Sequence, residues 1–304
     1  MPELCSTLPE AWRVPDDVLA QAYADVSDVD RSWIKKNIAQ LYALHPPAGV
    51  DRLSRRISWS GGFSTSAHRY PRPWACLLSS RPQASPAQIL AALVPVMTAG
   101  ITDILAILDP ASMRSARVLT SLELCGVEQI YAVPTVPMTP LTDASPSLPS
   151  ETVGQMLHHL VAAVPTGLIL DLDGALRHGL LAWEAFAQVV TWSPGPVASI
   201  RIWCDAPDEW NWPTLEWNHP EIRIEAWGAF RETAPDHIPR SQGSWDAFQR
   251  PDGSVLGISA HLLPTLNFPH TRLILTPGQE GCWVWPELHP EALCFLEGMA
   301  LSDT

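Results

Sequence analysis

Three short segments in the last quarter of the chain place acidic and histidine side chains close together. The string APDHIPR puts Asp236 beside His237, SAHLLPT carries His261, and PELHPEAL carries Glu287 and His289. An imidazole titrates near neutral pH and, with a carboxylate nearby, can transfer protons or ligate a metal ion. Each of these residues alone is more typical of a surface or a helix cap. The prediction of proton transfer or metal binding therefore depends on their joint occurrence.

A fourth string, LILDLDGAL, resembles the first motif of haloacid-dehalogenase-type phosphatases, an apolar strand that ends in Asp-x-Asp-Gly. That resemblance would make Asp171 the nucleophile and Asp173 the proton donor. Such enzymes hold the phosphoryl oxygens with a basic residue farther along the chain, usually lysine, and no lysine follows Lys36. The alternative is that both aspartates end a strand and cap the next helix.

Charge and cysteine content exclude several classes of function. The chain has 32 acidic and 19 basic residues, a formal net charge of −13. A nucleic-acid or anionic-membrane surface requires clustered positive charge, so we expect neither partner. The six cysteines are widely spaced, which is atypical of a disulfide framework or a zinc ribbon. The chain starts without a basic segment followed by an apolar run, and we therefore expect a cytoplasmic protein.

Apolar runs alternate with helical patterns from Trp74 onward. WACLLSS, TDILAIL and QIYAV are predicted strands, separated by helices that begin near Pro86 and Ala111. Short connections between such elements require right-handed crossovers and a parallel sheet. We therefore expect an α/β protein with two Rossmann-like lobes, mainly parallel sheets, and a small-molecule ligand in the cleft between the lobes.

The same patterns divide the chain into five predicted segments. They are an N-terminal helical and turn-rich segment (1–73), a first Rossmann-like lobe (74–139), a proline-rich linker (140–165), a second α/β lobe (166–270), and a C-terminal strand and helix (271–304).

Several segments, taken in order, resemble histidinol dehydrogenase, the zinc- and NAD-dependent enzyme that ends histidine biosynthesis. ETAPDHIPR resembles that family's I-A-P-E-H-L, SAHLLPT its H-V-L-P-T, and ELHPEAL its L-x-x-H-x-x-A-V. SPAQILAALVPVMTAGITDILAILDP, CGVEQIYAV and DRSWIKKNIAQLY also resemble family segments, so the likeness covers most of residues 30–300. The resemblance implies an aldehyde-dehydrogenase-like architecture and a homodimer.

The resemblance also implies roles for individual residues. Asp236 and His237 match the family's glutamate and histidine, which makes His237 the general base. His261, Glu287 and His289 would hold an imidazole-bearing substrate such as L-histidinol. In an active enzyme Asp236 would activate water, and a hydride would pass to NAD from the alcohol and then from the aldehyde hydrate.

The zinc ligands of that family are mostly replaced. The segment TWSPGP places Thr191 and Pro194 where the family has ligating Gln and His, and Ser254 falls where it has a ligating Asp. His289 and, with a small gap, Asp252 are the residual candidates. A catalytic zinc ion normally requires about three protein ligands, so we expect none here.

The NAD-binding turns differ as well. The family's Y-V-P-G-G reads LLSSR, and its G-G-A-Q-A reads PTVPM. Side chains and prolines thus stand where glycine lets the backbone approach the nucleotide. Two interpretations stay open: a binding protein or pseudoenzyme without zinc, and an NAD-dependent dehydrogenase that acts through His237 and Asp236.

Overall fold

The computed structural model describes residues 8–47, 53–81, 83–133, 151–174, 176, 186–250, 253–267 and 273–302. These residues form an α/β structure with two parallel sheets and one antiparallel sheet. The predicted fold class is confirmed. No helix in the described ranges is long and apolar enough to span a membrane.

The chain begins with two helices, α1 (Asp16–Asp25) and α2 (Asp28–Leu44). They are separated at Ser27, whose side chain accepts a hydrogen bond from the backbone N–H of Asp30 and so caps α2. The helices predicted for the N-terminal segment are therefore confirmed as a pair, α1 and α2. Ile34 and Leu41 form the buried stripe by which α2 packs on the core.

An antiparallel sheet follows, which local sequence patterns do not predict. It contains β1 (Leu53–Trp59), β2 (Phe63–Tyr70) and β12 (Phe295–Ser302), in the order β1-β2-β12. The helix predicted for the C-terminal segment is confirmed for one turn only, because α8 covers just Pro290–Leu293. The following residues pair with β2 over the whole length of β12, and this pairing overrides the local helical pattern.

The first parallel sheet contains β3 (Trp74–Ser79), β4 (Asp103–Leu108), β5 (Gln129–Ala132), β6 (Leu168–Asp171) and β7 (Val190–Trp192). Its spatial order is β5-β4-β3-β6-β7, so the chain moves outward from β3 in one direction and then returns to build the other side. The topological switch point lies between β3 and β6. Helices α3 (Pro86–Thr98) and α4 (Ala116–Leu124) cover one face, and α5 (Glu151–Ala163) packs on the other.

Two of the predicted segment boundaries change as a result. The strand predicted to open the second lobe at residue 166 is β6, which pairs with β3 in the first sheet. The predicted linker 140–165 contains α5, whose apolar side chains Met156, Leu157 and Leu160 are buried under that sheet. The remaining linker residues 140–150 lie outside the described ranges.

The second parallel sheet contains β8 (Ile200–Trp203), β9 (Ile224–Trp227), β10 (Val255–Gly257) and β11 (Ile274–Leu275), in the order β11-β10-β8-β9. Its switch point lies between β8 and β10. Helix α6 (Trp212–Asn218) connects β8 to β9, and α7 (Trp245–Phe248) precedes β10. A layer of aromatic rings covers one face of this sheet, with Trp203 against Trp245 and Phe248.

Candidate functional site

At the carboxyl ends of β3 and β6, the chain's own side chains meet across the first switch point. Asp173 Oδ2 accepts hydrogen bonds from the backbone N–H and the hydroxyl of Ser80, the latter at 2.8 Å. Arg81 Nε donates to Asp173 Oδ1 at 2.5 Å. The Asp173 side chain is 10% exposed. The turn formed by Ser80 and Arg81 thus binds a carboxylate from the segment after the neighbouring strand β6.

Arg81 also contacts an acid from the part of the chain between β8 and β11, which builds the second parallel sheet and which we call the second unit. Its Nη1 lies 3.1 Å from Glu221 Oε2, in the segment that leads into β9. Burial raises the pKa of Glu221, Arg81 opposes that shift, and the nearby Asp173 adds to it. One guanidinium therefore neutralises two partly buried carboxylates and links the two sheets.

The amino end of α3, which directly follows this turn, is buried under the second unit. Ser85 caps the helix by accepting from the N–H of Gln88 at 3.2 Å. Its hydroxyl donates to the carbonyl oxygen of Asn218 at 2.5 Å. Ser85 is 1% exposed and Ala87 is fully buried. His219, the neighbour of Asn218, donates from Nε2 to the carbonyl of Glu280 at 3.0 Å. This hydrogen bond holds the segment that covers the amino end of α3.

This arrangement does not fit the pyrophosphate of a dinucleotide in the usual Rossmann position. A pyrophosphate binds at the amino end of the first crossover helix, on backbone N–H groups that approach it directly. Here that helix end is covered by Asn218, the N–H of Ser80 is used by Asp173, and two carboxylates occupy the crevice. A second anion would meet their negative charge.

Asp171, the nucleophile of the phosphatase alternative, is buried. It is 1% exposed, and its Oδ2 accepts from the backbone N–H of Leu176 at 2.8 Å. The carboxylate caps the turn after β6, which fits the alternative prediction for Asp171. Asp173 contacts Ser80 and Arg81 instead of capping this turn. A nucleophile must reach its substrate, so this burial argues against phosphoryl transfer.

A second polar cluster crosses the switch point of the second sheet. His261 Nε2 lies 2.9 Å from Asp205 Oδ2, and the side chains are 65% and 37% exposed. Ser259 donates from its hydroxyl to Glu209 Oε1. Asp205 and Glu209 follow β8, while Ser259 and His261 follow β10. We call these four residues the acidic crevice.

The other predicted catalytic residues lie elsewhere. His237 Nε2 contacts Glu216 Oε1 on α6, whereas Asp236 accepts from Arg240 Nη2 at 2.9 Å. The Asp236 side chain is fully exposed. The carboxylate that pairs with His237 is therefore not its sequence neighbour.

His289 and Glu287 occupy a third region, at the start of α8. The ring of His289 lies 6.0 Å from that of His45, the residue that ends α2. Burial, and then His289, lower the pKa of His45. Glu287 is exposed. The structure thus pairs His237, His261 and His289 with three different partners.

The predicted metal candidates also remain apart. No group of three His, Cys, Asp or Glu residues in the described part of the chain could hold a metal ion. Ser254 is 6% exposed and its hydroxyl lies 2.8 Å from that of Ser199, which joins the starts of β8 and β10. Thr191 lies in β7, paired with Ile169. Asp252 lies outside the described residues. The described donors do not fit a zinc ion.

Sequence reasoning missed five residues of these sites: Arg81, Asp205, Glu209, Glu216 and Glu221. Their partners are distant in sequence, for example 92 positions for Arg81 and Asp173. Asp205 lies two residues after the end of β8, and this position is a local signal that could have indicated it, since ligands bind at the carboxyl ends of parallel strands.

Comparison with solved structures gives the fold a name. Histidinol dehydrogenase from Elizabethkingia anophelis matches with a TM-score of 0.60 at 10% identity, over 97% of this chain and 77% of that one. The chain has a dehydrogenase fold. Betaine aldehyde dehydrogenase from Staphylococcus aureus matches with a TM-score of 0.51 at 7% identity, over 94% and 82% of the two chains. An NAD-dependent benzaldehyde dehydrogenase from Corynebacterium glutamicum gives 0.50 at 9%, over 94% and 83%.

The sequence itself matches no family model and none of the curated proteins. At these identities the likeness concerns the dehydrogenase fold, which histidinol and aldehyde dehydrogenases share. The predicted resemblance is therefore confirmed at the level of fold and not for one family.

Proposed function

We propose that this chain is a dehydrogenase-fold protein that binds a small amine-bearing ligand and does not oxidise it with zinc and NAD. The observation that carries the proposal is the covered amino end of α3, where Ser85 donates to Asn218 and Ala87 is fully buried. The pyrophosphate site of a Rossmann-like sheet requires that end to be accessible. One of the structural neighbours is an NAD-dependent benzaldehyde dehydrogenase, and the test below therefore includes NAD.

The chemistry of the acidic crevice supports an amine as the ligand. Asp205 and Glu209 supply negative charge at the switch point of the second sheet, in a chain of net charge −13. Glu209 Oε2 is buried and has no hydrogen-bond partner among the described residues. An unpaired buried carboxylate oxygen is costly, and a protonated amine would satisfy it.

The competing function is oxidation of L-histidinol or a similar amino alcohol, with His237 as general base and Asp236 activating water. The contact of His237 with Glu216 favours a base that a carboxylate orients. Our proposal treats this pair, together with the predicted substrate residues Glu287 and His289, as inherited from an active ancestor. It keeps His261 as a ligand-binding residue, because His261 belongs to the acidic crevice.

NADH formation separates the two functions. The purified protein, supplied with zinc, L-histidinol and NAD, is followed at the NADH absorbance band beside a His237→Asn variant. We expect equal, background rates for both, with an active histidinol dehydrogenase as positive control. Turnover above that of the variant would overturn the proposal.

Calorimetric titration with L-histidinol, without NAD or zinc, tests the binding itself. We expect Asp205→Asn to weaken binding about tenfold, or about 1.4 kcal/mol, because it removes the carboxylate beside His261. Asp208→Asn is the matched control, since it removes one charge from the same exposed loop and asparagine tolerates the positive φ of 55° there. Equal effects of the two variants would show that only overall charge matters and would reject the crevice as the site.

The predicted homodimer and cytoplasmic location are part of the same proposal. Light scattering on the purified protein tests the first, and a mass of one chain would reject it.

A further inference from the structure

A separate cavity lies between α2 and the edge strand β11. Its volume is about 160 Å³, and it opens to solvent beside the half-exposed Leu44. Leu41, Leu275 and Trp283 form an apolar wall. None of the residues of the acidic crevice lines it. A dry cavity of about 150 Å³ is large enough to bind benzene, so this one can hold a ring-sized ligand.

Two polar groups of the lining residues have no hydrogen-bond partner among the described residues, Asn37 Nδ2 and the indole Nε1 of Trp283. Asn37 is 1% exposed, and its Nδ2 makes no hydrogen bond to any of the described residues. The nearby amide oxygen of Gln40 is already used, because it accepts from the thiol of Cys282 at 2.8 Å. A buried amide donor without an acceptor is rare and unfavourable in proteins. Asn37 Nδ2 therefore has two N–H groups without an acceptor at the wall of the cavity.

The charge of the surroundings limits what can accept that hydrogen bond. The lining side chains are all uncharged, and burial raises the pKa of the Cys282 thiol to about 11, so it too is neutral at physiological pH. The carboxylate of Glu280, 2% exposed, lies in the chain between the lining residues Gln279 and Cys282. The amine of Lys36 donates to the carbonyl of Gly278 and is engaged there. An anionic ligand would thus lose its hydration without gaining a cationic partner.

We propose that this cavity binds a small neutral molecule with an apolar body and one carbonyl oxygen, which accepts a hydrogen bond from Asn37 Nδ2. The apolar body contacts Leu41, Leu275 and Trp283. The proposal does not depend on the function of the acidic crevice.

Benzamide, toluene and benzoate are matched probes, since they share a ring and differ in the substituent. We expect calorimetry to show benzamide binding at least about tenfold more tightly than toluene, with benzoate the weakest. Asn37→Leu should weaken benzamide about tenfold, the usual effect of one hydrogen bond, and leave toluene unchanged or tighter. The control Ser32→Leu, on the exposed side of α2, should change neither.

A second measurement uses the unaltered protein and does not require the variant to fold. The chain has only four asparagines, so selective ¹⁵N-asparagine labelling gives four pairs of side-chain amide signals. Benzamide should shift one of them strongly, the signal missing from Asn37→Leu or, failing that variant, from Asn37→Ser. Equal affinity for benzamide and toluene, preference for benzoate, or a shift confined to another asparagine would overturn the proposal.

Discussion

Arg81 and Asp173 form an ion pair across the switch point of the first sheet, with Nε 2.5 Å from Oδ1. The same guanidinium reaches Glu221 of the second unit at 3.1 Å. The crevice in which related folds place a ligand is therefore bridged by the chain's own charges. Arg81, Asp173 and Glu221 thus occupy the carboxyl end of the first sheet and connect it to the second sheet.

Replacing Arg81 should destabilise the protein. Arg81→Met leaves two partly buried carboxylates without their cation, and we expect the free energy of unfolding to fall by about 1–3 kcal/mol. Arg223→Met is the control, because Arg223 is 65% exposed and pairs with Glu225, so its loss should cost less than about 1 kcal/mol. Urea unfolding measures the free energy of unfolding of both variants. Equal losses would show that the Arg81 bridge contributes no more than an exposed ion pair.

The Arg81→Met defect should also shrink at low pH. The pKa of Glu221 is raised by burial already in the intact protein, and losing Arg81 raises it further. A carboxyl group whose pKa is higher in the folded than in the unfolded state favours folding as it becomes protonated. Urea unfolding at pH 5 and pH 7.5 should give a smaller difference between variant and parent at pH 5. A larger difference at pH 5 would contradict this account.

The buried imidazole of His219 should make the stability of the intact protein sensitive to acid. Burial lowers its pKa to about 4 from 6.5. Because the folded state binds this proton less tightly, stability is fully present above pH 6.5 and is lost as the pH falls toward 4, by about 3 kcal/mol. His219→Gln should flatten the dependence of unfolding free energy on pH in that window, whatever its effect at pH 7.5. An unchanged slope would show that other groups dominate.

Much of the fold could be predicted from local sequence. WACLLSS became β3, TDILAIL became β4, and Pro86 opens α3 as proline at a first helical position does. The pairing of β6 with β3, and of β12 with β2, depends on which strands meet in three dimensions. Local patterns carry no information on such partners, so the lobe boundary at 166 and the terminal helix were wrong.

The site could be predicted less well, for the same physical reason. His237 and His261 were identified as candidates from their neighbours in sequence. Their carboxylate partners, Glu216 and Asp205, are supplied by the segment after β8, 21 and 56 positions away. Adjacent residues such as Asp236 and His237 point in different directions and need not interact.

Gly167 should not tolerate a side chain. A Cβ there would lie 2.1 Å from the indole ring of Trp74, which is fully buried and donates from Nε1 to the carbonyl of Val164 at 2.9 Å. Gly167→Ala should cost about 2–4 kcal/mol by overpacking. Gly126→Ala is not a suitable control because of its positive φ, whereas Gly61→Ala has its nearest contact at 3.5 Å and should cost far less. Thermal unfolding distinguishes them, and equal costs would contradict the packing argument.

Asp171 should matter for stability and not for phosphate chemistry. Asp171→Ala removes the acceptor for the N–H of Leu176, and we expect a loss of about 1–3 kcal/mol. Hydrolysis of p-nitrophenyl phosphate should be equally low in the parent and in Asp171→Asn. Activity in the parent that disappears in Asp171→Asn would restore the phosphatase alternative.

Direct titration of NAD into the intact protein tests the central claim, since it asks whether the covered end of α3 accepts a dinucleotide. Calorimetry with millimolar NAD, with and without zinc and L-histidinol, should give no saturable heat, while the positive-control dehydrogenase binds under the same conditions. Saturable binding of NAD by this chain would contradict the account and would favour the alternative of an active NAD-dependent dehydrogenase.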